Sequence, residues 1–170
     1  GSRAGIRGVV PRSVHMLNNR YTIIRILGEG GWGTVYLALD AVTGSHVAIK
    51  QLNPRLVADR ADIDAEINAL RTLDHPHVVR YLDSFDEGGR THVVTEYIEG
   101  QTLAQRRGAE PMALPDIERY AGQILNALEH IHSRGIIHSD LKPENIIIDK
   151  ADAVHIIDFG IVRTPSAQIA

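Results

Sequence analysis

One short segment, His138-Ser139-Asp140-Leu141-Lys142-Pro143-Glu144-Asn145, puts a carboxylate, an ammonium and an amide into a single loop. Asp140 can accept the proton of a hydroxyl group. Lys142 can balance charge on a moving phosphoryl group, and Asn145 can ligate a hard cation through its side-chain oxygen. Asp158-Phe159-Gly160 follows at the end of a predicted β-hairpin and offers a second oxygen ligand for Mg²⁺. The chemistry these residues suit is transfer of a phosphoryl group to a hydroxyl.

Two features in the first half of the chain supply what such chemistry needs on the donor side. Lys50 closes the run Val47-Ala48-Ile49-Lys50. An apolar run ahead of it puts the ammonium at the edge of a core, where a charge without an anion is costly. Glu66 lies on a predicted helix, beside a stripe of Ile63, Ile67 and Leu70, and can face the same cleft. Paired in this way, Lys50 keeps donors for phosphate oxygens. Gly28-Glu29-Gly30-Gly31-Trp32-Gly33-Thr34-Val35 has the spacing G-x-G-x-x-G-x-V. A glycine pattern like this also occurs in dinucleotide folds, but there it joins a strand to a helix. Here strands are predicted on both sides, which suits a flap whose backbone N–H groups close over phosphates. Trp32 at its tip is either a cover for the cleft or an exposed side chain.

The elements that must position these groups fall into two halves. Strands are predicted at 21–27, 34–40 and 45–52, then a helix at about 59–73 that ends before Pro76. Strands at 77–85 and 91–98 complete a five-stranded antiparallel sheet. A long helix at 115–135 carries Ile117, Ala121, Ile124, Leu128 and Ile131 on one stripe, with Gly135 where a terminating glycine belongs. Two short apolar strands, 145–149 and 153–158, surround a turn. The expected class is α+β, a strand-rich lobe followed by a helical one, with the ligand cleft between them at about 96–101. Residues 1–17 read as a leader or linker and are set outside the folded part.

Composition fits this picture. The chain has 170 residues, 44% hydrophobic and 23% charged, with a net charge of −3. That balance gives no reason to expect a nucleic-acid or anionic-membrane partner. No apolar run is long enough for a transmembrane helix. The absence of cysteine excludes disulfides, thiolate nucleophiles and cysteine-ligated zinc; it suits a reducing compartment, and a cytoplasmic location is expected. The pairs His75/His77 and His130/His132 are spaced i, i+2 and are not expected to converge on a metal.

In this order and spacing the motifs resemble those of eukaryotic-type (Hanks-type) serine/threonine protein kinases, from about Asn19 to Arg163. The segment Asp140-Leu141-Lys142-Pro143-Glu144-Asn145 favours the serine/threonine branch. The resemblance implies ATP and Mg²⁺ as cofactors and a protein substrate bearing Ser/Thr hydroxyls. It implies Asp140, Lys142, Lys50 and Glu66 as catalytic residues, with Asn145 and Asp158 as the metal ligands. For the nucleotide it implies Gly28, Glu29, Gly30, Gly33, Val35, Ala48, Lys50, Thr95, Glu96, Tyr97 and Ile147. Thr95 takes the gatekeeper place, the backbone of residues 96–100 reads adenine, and Val35, Ala48 and Ile147 sandwich the ring. Leu70, Tyr81, His138 and Phe159 are implied as a spine joining the lobes. The domain would occupy 18–170, with a first lobe at about 18–98, a hinge at about 96–101 and part of a second lobe at 102–170.

Two departures carry expectations of their own. Ser139 stands where many such kinases have arginine, and serine cannot supply a bidentate cationic fork. Switching by a phosphate paired to that position is therefore not expected. No Ala-Pro-Glu motif follows Gly160, so the second lobe reads as truncated and a longer natural chain is expected. An ATP-binding or regulatory module with little turnover is the alternative function, and a small-molecule phosphotransferase a third.

Overall fold

The computed structural model describes residues 15–56, 60–108, 110–136 and 141–157. Its first half is a six-stranded antiparallel sheet of β1 (Met16–Leu17), β2 (Tyr21–Gly30), β3 (Gly33–Asp40), β4 (His46–Leu52), β5 (Tyr81–Glu87) and β6 (Arg90–Glu96). Their order is β1-β2-β3-β4-β6-β5, so the five expected strands are joined by a sixth. The extra strand corrects the boundary set at residue 17. Asn18 and Asn19 both adopt φ 52°, a left-handed turn that short amide side chains tolerate, and it folds Met16–Leu17 back on Tyr21–Thr22. Leu17 is then buried with Tyr21, Val47 and Ile49. The sheet curls until β2 and the turn before it reach β5. The Tyr21 hydroxyl donates to Asp83 at 3.0 Å, the Tyr21 and Phe85 rings stack, and the Asn18 N–H reaches the Glu87 carboxylate.

Side-chain alternation sorts β4 into two faces. Val47 and Ile49 are buried on one, whereas Ala48 and Lys50 turn the other way, towards a cleft. Leu52, at the strand's end, is buried on that second side in a cluster with Ile63 and Ile67. Each fully buried aliphatic side chain contributes roughly 1.5–3 kcal/mol. Helix α1 (Arg60–Arg71) lays Ile63, Ile67 and Leu70 against this sheet, as their spacing predicts.

The segment after α1 departs from expectation. A strand is predicted from residue 77, yet β5 begins only at Tyr81. Residues 77–79 pair instead with the second lobe. The Val79 N–H donates to the Ile156 carbonyl and the Ile156 N–H to the His77 carbonyl, both at 2.9 Å. Val78 and Val79 are buried in the cluster shared by α1, the sheet and the long helix. Proline at 76 and these docked residues divert the chain before it can join the sheet.

The second half comprises β7 (Gly100–Thr102), α2 (Leu103–Arg107), α3 (Leu114–Ser133), β8 (Ile146–Asp149) and β9 (Val154–Ile156). The three strands form a small sheet in the order β7-β8-β9. Thr102 starts α2 with a reciprocal cap: its hydroxyl accepts the Gln105 N–H, and the Gln105 side chain accepts the Thr102 N–H. At the far end of α3, Gly135 takes φ 73°, its N–H reaches the His132 carbonyl, and the Ile136 N–H reaches that of Ile131. That is the glycine termination expected at 135.

The predicted stripe of α3 is only partly covered. Ile131 is fully buried, Ile124 and Leu128 are half-buried, and Ile117 is 43% exposed. The inward side is carried by Tyr120, Ala127 and Ile131, and the opposite face leaves Leu114 and Leu125 more than 60% exposed. Among the described residues no helix is long and apolar enough to cross a membrane.

Candidate active site

A cleft of about 450 Å³ lies between the two sheets. Its roof comes from the curled sheet. The β3–β4 register sets Val35 beside Lys50, and the β4–β6 register sets Ala48 beside Thr95, so strand pairing alone gathers these four. All four line the cleft, as does Gly28. Its floor comes from β8, where Ile146 and Ile148 are buried in the second lobe and Ile147, one residue out of phase, turns to the cleft. Glu96 and Tyr97 line the connecting edge. The result is an apolar slot between Ala48 and Ile147, with the polar groups of Lys50, Thr95 and Asn145 also in its lining.

Asn145 sits there, only 9% exposed, closing a 3₁₀ turn over Pro143–Asn145. The Asn145 N–H donates to the Lys142 carbonyl and the Asn145 carbonyl accepts the Ile157 N–H, both at 2.9 Å. Backbone bonds on either side therefore fix where its amide side chain starts. Lys50, in the roof, is half-buried, and its Nζ stands 5.1 Å from the centroid of the Trp32 ring. This decides between the two readings of Trp32: the indole is half-buried and forms part of the cleft wall.

The remaining expected residues divide. Glu66 is half-buried on the side of α1 that carries Ile63, Ile67 and Leu70. Lys142 is exposed and does not line the cleft. Glu29, Gly30 and Gly33 belong to the flap hairpin without lining the cleft. Gly33 has a different reason to be glycine. Its φ is 138°, and a Cβ there would lie 1.9 Å from the Gln51 carbonyl oxygen. Of the implied spine, Leu70 and Tyr81 are buried in one cluster. Asp140, Asp158, His138 and Phe159 lie outside the described residues.

Sequence reasoning missed part of the wall. Arg25 and Leu27 line the cleft from β2, and Gln105 and Glu144 line it from the second lobe. Leu27 and Glu144 directly adjoin motif residues, a signal that could have found them. Arg25 and Gln105 arrive only through tertiary placement.

The comparisons with known proteins agree with this geometry. The family model of the protein kinase domain matches residues 21–169, and the chain belongs to that family. It is 36% identical over 155 residues to the serine/threonine-protein kinase PrkC of Bacillus subtilis, covering 89% of this chain and 24% of the relative. It is 30% identical over 151 residues to the CBL-interacting serine/threonine-protein kinase 21 of Arabidopsis thaliana, covering 87% of this chain and 36% of the relative. Among solved structures, Rad53 in complex with AMP-PNP aligns with a TM-score of 0.76 at 32% identity, over 84% of this chain and 38% of that one. The PknI kinase domain of Mycobacterium tuberculosis aligns with a TM-score of 0.75 at 27% identity, over 85% of this chain and 60% of that one. The chain thus spans about a third or less of the length of these two curated relatives.

Proposed function

We propose that the chain transfers the γ-phosphoryl group of ATP to serine or threonine hydroxyls of a protein substrate, with Mg²⁺ as cofactor. The observation that carries this reading is the convergence, in one cleft, of an apolar slot from both lobes with Lys50 from the roof and Asn145 from the floor. The slot suits a flat base, the ammonium suits phosphate oxygens, and a buried amide oxygen suits a hard cation.

Each residue has a separate task. Val35, Ala48 and Ile147 hold the base, with the backbone of 96–100 along its edge. Lys50, kept in place by Glu66, binds the α/β-phosphates. Asn145 and Asp158 hold Mg²⁺, which neutralises charge on the phosphates when bound. Asp140 takes the proton as the substrate oxygen bonds to the γ-phosphorus; the bond to the bridging oxygen breaks and ADP departs. Lys142 balances charge on the transferred group. Catalysis is thus positioning and charge neutralisation rather than covalent chemistry by the protein.

The second reading is nucleotide binding without useful turnover, and the exposed apolar face of α3 favours it. One experiment separates the two. The chain is incubated with labelled Mg-ATP and a generic Ser/Thr substrate, beside Asp140→Asn. Label transfer that disappears in the variant supports the kinase. Thermal stabilisation by Mg-ATP without transfer supports the binding module, and neither response excludes both.

A further inference from the structure

Trp32 is the one tryptophan of the chain, and the turn around it is tied down. Its backbone carbonyl accepts the Asn53 N–H at 3.0 Å, and the Asn53 side-chain amide donates to the Gly31 carbonyl at 3.1 Å. Asn53 follows the last residue of β4, so the tip of the β2–β3 hairpin is fastened to the strand that carries Lys50. The indole runs back across Gly30, where a Cβ would come within 2.5 Å of its Nε1. Glycine at 30 is what admits the ring. It reaches the cleft wall with the Lys50 ammonium 5.1 Å from its centroid, inside the range over which an ammonium is attracted to an aromatic face.

We infer that Trp32 is a specificity-determining residue: its indole face competes with anionic phosphate for the Lys50 ammonium and so sets how strongly polyphosphates are preferred over uncharged nucleosides. The inference rests on the nucleotide reading of the cleft. A phosphate oxygen offers Lys50 a full negative charge where the ring offers a quadrupole. A polyphosphate therefore displaces the indole, whereas adenosine has no charge with which to do so. The slot between Ala48 and Ile147 serves both ligands alike, so Trp32 acts on the part of the difference that Lys50 contributes.

The test uses the whole chain with its Trp32→Leu and Trp32→Phe variants. Tryptophan emission reports Trp32 alone, and calorimetry gives affinities for Mg-ATP, Mg-ADP and adenosine. Mg-ATP is expected to change the emission and adenosine to leave it unchanged. Trp32→Leu is expected to bind Mg-ATP about three- to tenfold more tightly, with adenosine affinity within about twofold and Trp32→Phe between the two proteins. Mg-ATP binding with unchanged emission, or an unaltered ATP-to-adenosine ratio in Trp32→Leu, overturns the inference and leaves the nucleotide reading standing. No binding of any of the three ligands overturns that reading, and the inference with it.

Discussion

His75 and His130 face one another across the junction of the two lobes, their ring centroids 5.2 Å apart. His75 comes from the loop after α1 and His130 from the last turn of α3. Each uses a ring nitrogen as an acceptor: His75 Nδ1 takes the His77 N–H at 3.1 Å, and His130 Nε2 takes the Asp74 N–H at 3.2 Å. A protonated His75 Nδ1 would point a donor at the donor of His77, so this bond favours the neutral His75 ring. Burial above all, then the neighbouring His130 and His77, holds His75 below the usual histidine value.

The lobe junction is therefore expected to weaken in acid. Around His75 stand His77 on its own loop, whose Nδ1 bonds the Val154 carbonyl of β9, and His130 from α3; Arg134, just after α3, reaches the Thr72 carbonyl. The Coulomb influences that shift His75 come from His130 and His77, and both oppose its charging. With the folded value depressed, the unfolded chain binds protons more readily, so stability is present above about pH 6.5 and is lost as pH falls below it. Between about pH 7.5 and 5.5, His75→Asn, which keeps an acceptor, should lose less Tm than the parent chain in scanning calorimetry. Parallel pH profiles would count against this role.

Asp40 ends β3 with three partners. It receives the Arg20 guanidinium through two bonds of 2.8 and 2.9 Å, the Val42 N–H at 2.9 Å and the Thr43 hydroxyl at 3.0 Å. The Arg20 bonds foremost hold its carboxyl well below the usual range. Such a depressed carboxylate contributes stability that is present above about pH 4 and is lost as pH falls towards its folded value. Asp40→Ala is expected to lower Tm at neutral pH by roughly 5–10 °C, measured by scanning calorimetry, without altering residues of the cleft.

The flap glycines should not behave alike. Gly33→Ala must adopt an unfavourable φ and push its methyl into the Gln51 carbonyl, at a cost of roughly 2–4 kcal/mol. Gly28 has nothing within 4 Å of an added Cβ, and Gly28→Ala should change stability by less than about 0.5 kcal/mol. Urea denaturation of the two variants makes the comparison, and equal losses would remove the packing explanation for Gly33.

If Lys50 holds the phosphates, Lys50→Met should remove most of the stabilisation by Mg-ATP while Lys142→Met retains it. At a nucleotide concentration about 100-fold above Kd that stabilisation is roughly 2.7 kcal/mol. Differential scanning fluorimetry reads it, and the reverse ranking of the variants would reassign the two lysines.

Much of the cleft was legible in the sequence because its chemistry is written locally. The motif resemblance implies Val35, Ala48 and Ile147, and the structure shows the alternation in β4 and β8 that turns Ala48, Lys50 and Ile147 to the cleft. What escaped depends on partners distant in the chain. Residues 77–79 have strand composition, but their hydrogen bonds go to β9 in the other lobe. The direction of the Trp32 ring depends on Asn53 and on the missing Cβ of Gly30. Met16–Leu17 was the avoidable error: the Asn18-Asn19 pair is a turn signal that marks a strand before it.

The curl that joins Tyr21 to Asp83 and Phe85 has a consequence for association. A sheet with two open edges offers backbone donors and acceptors to any extended chain that drifts past. Here β2 and the turn before it lean on β5 through the Tyr21 ring and the Asn18–Glu87 contact, so each rim shields the other. Loosening that seam, for example by Tyr21→Ala, would unmask both rims at once and turn a loss of side-chain packing into a route to strand addition between molecules.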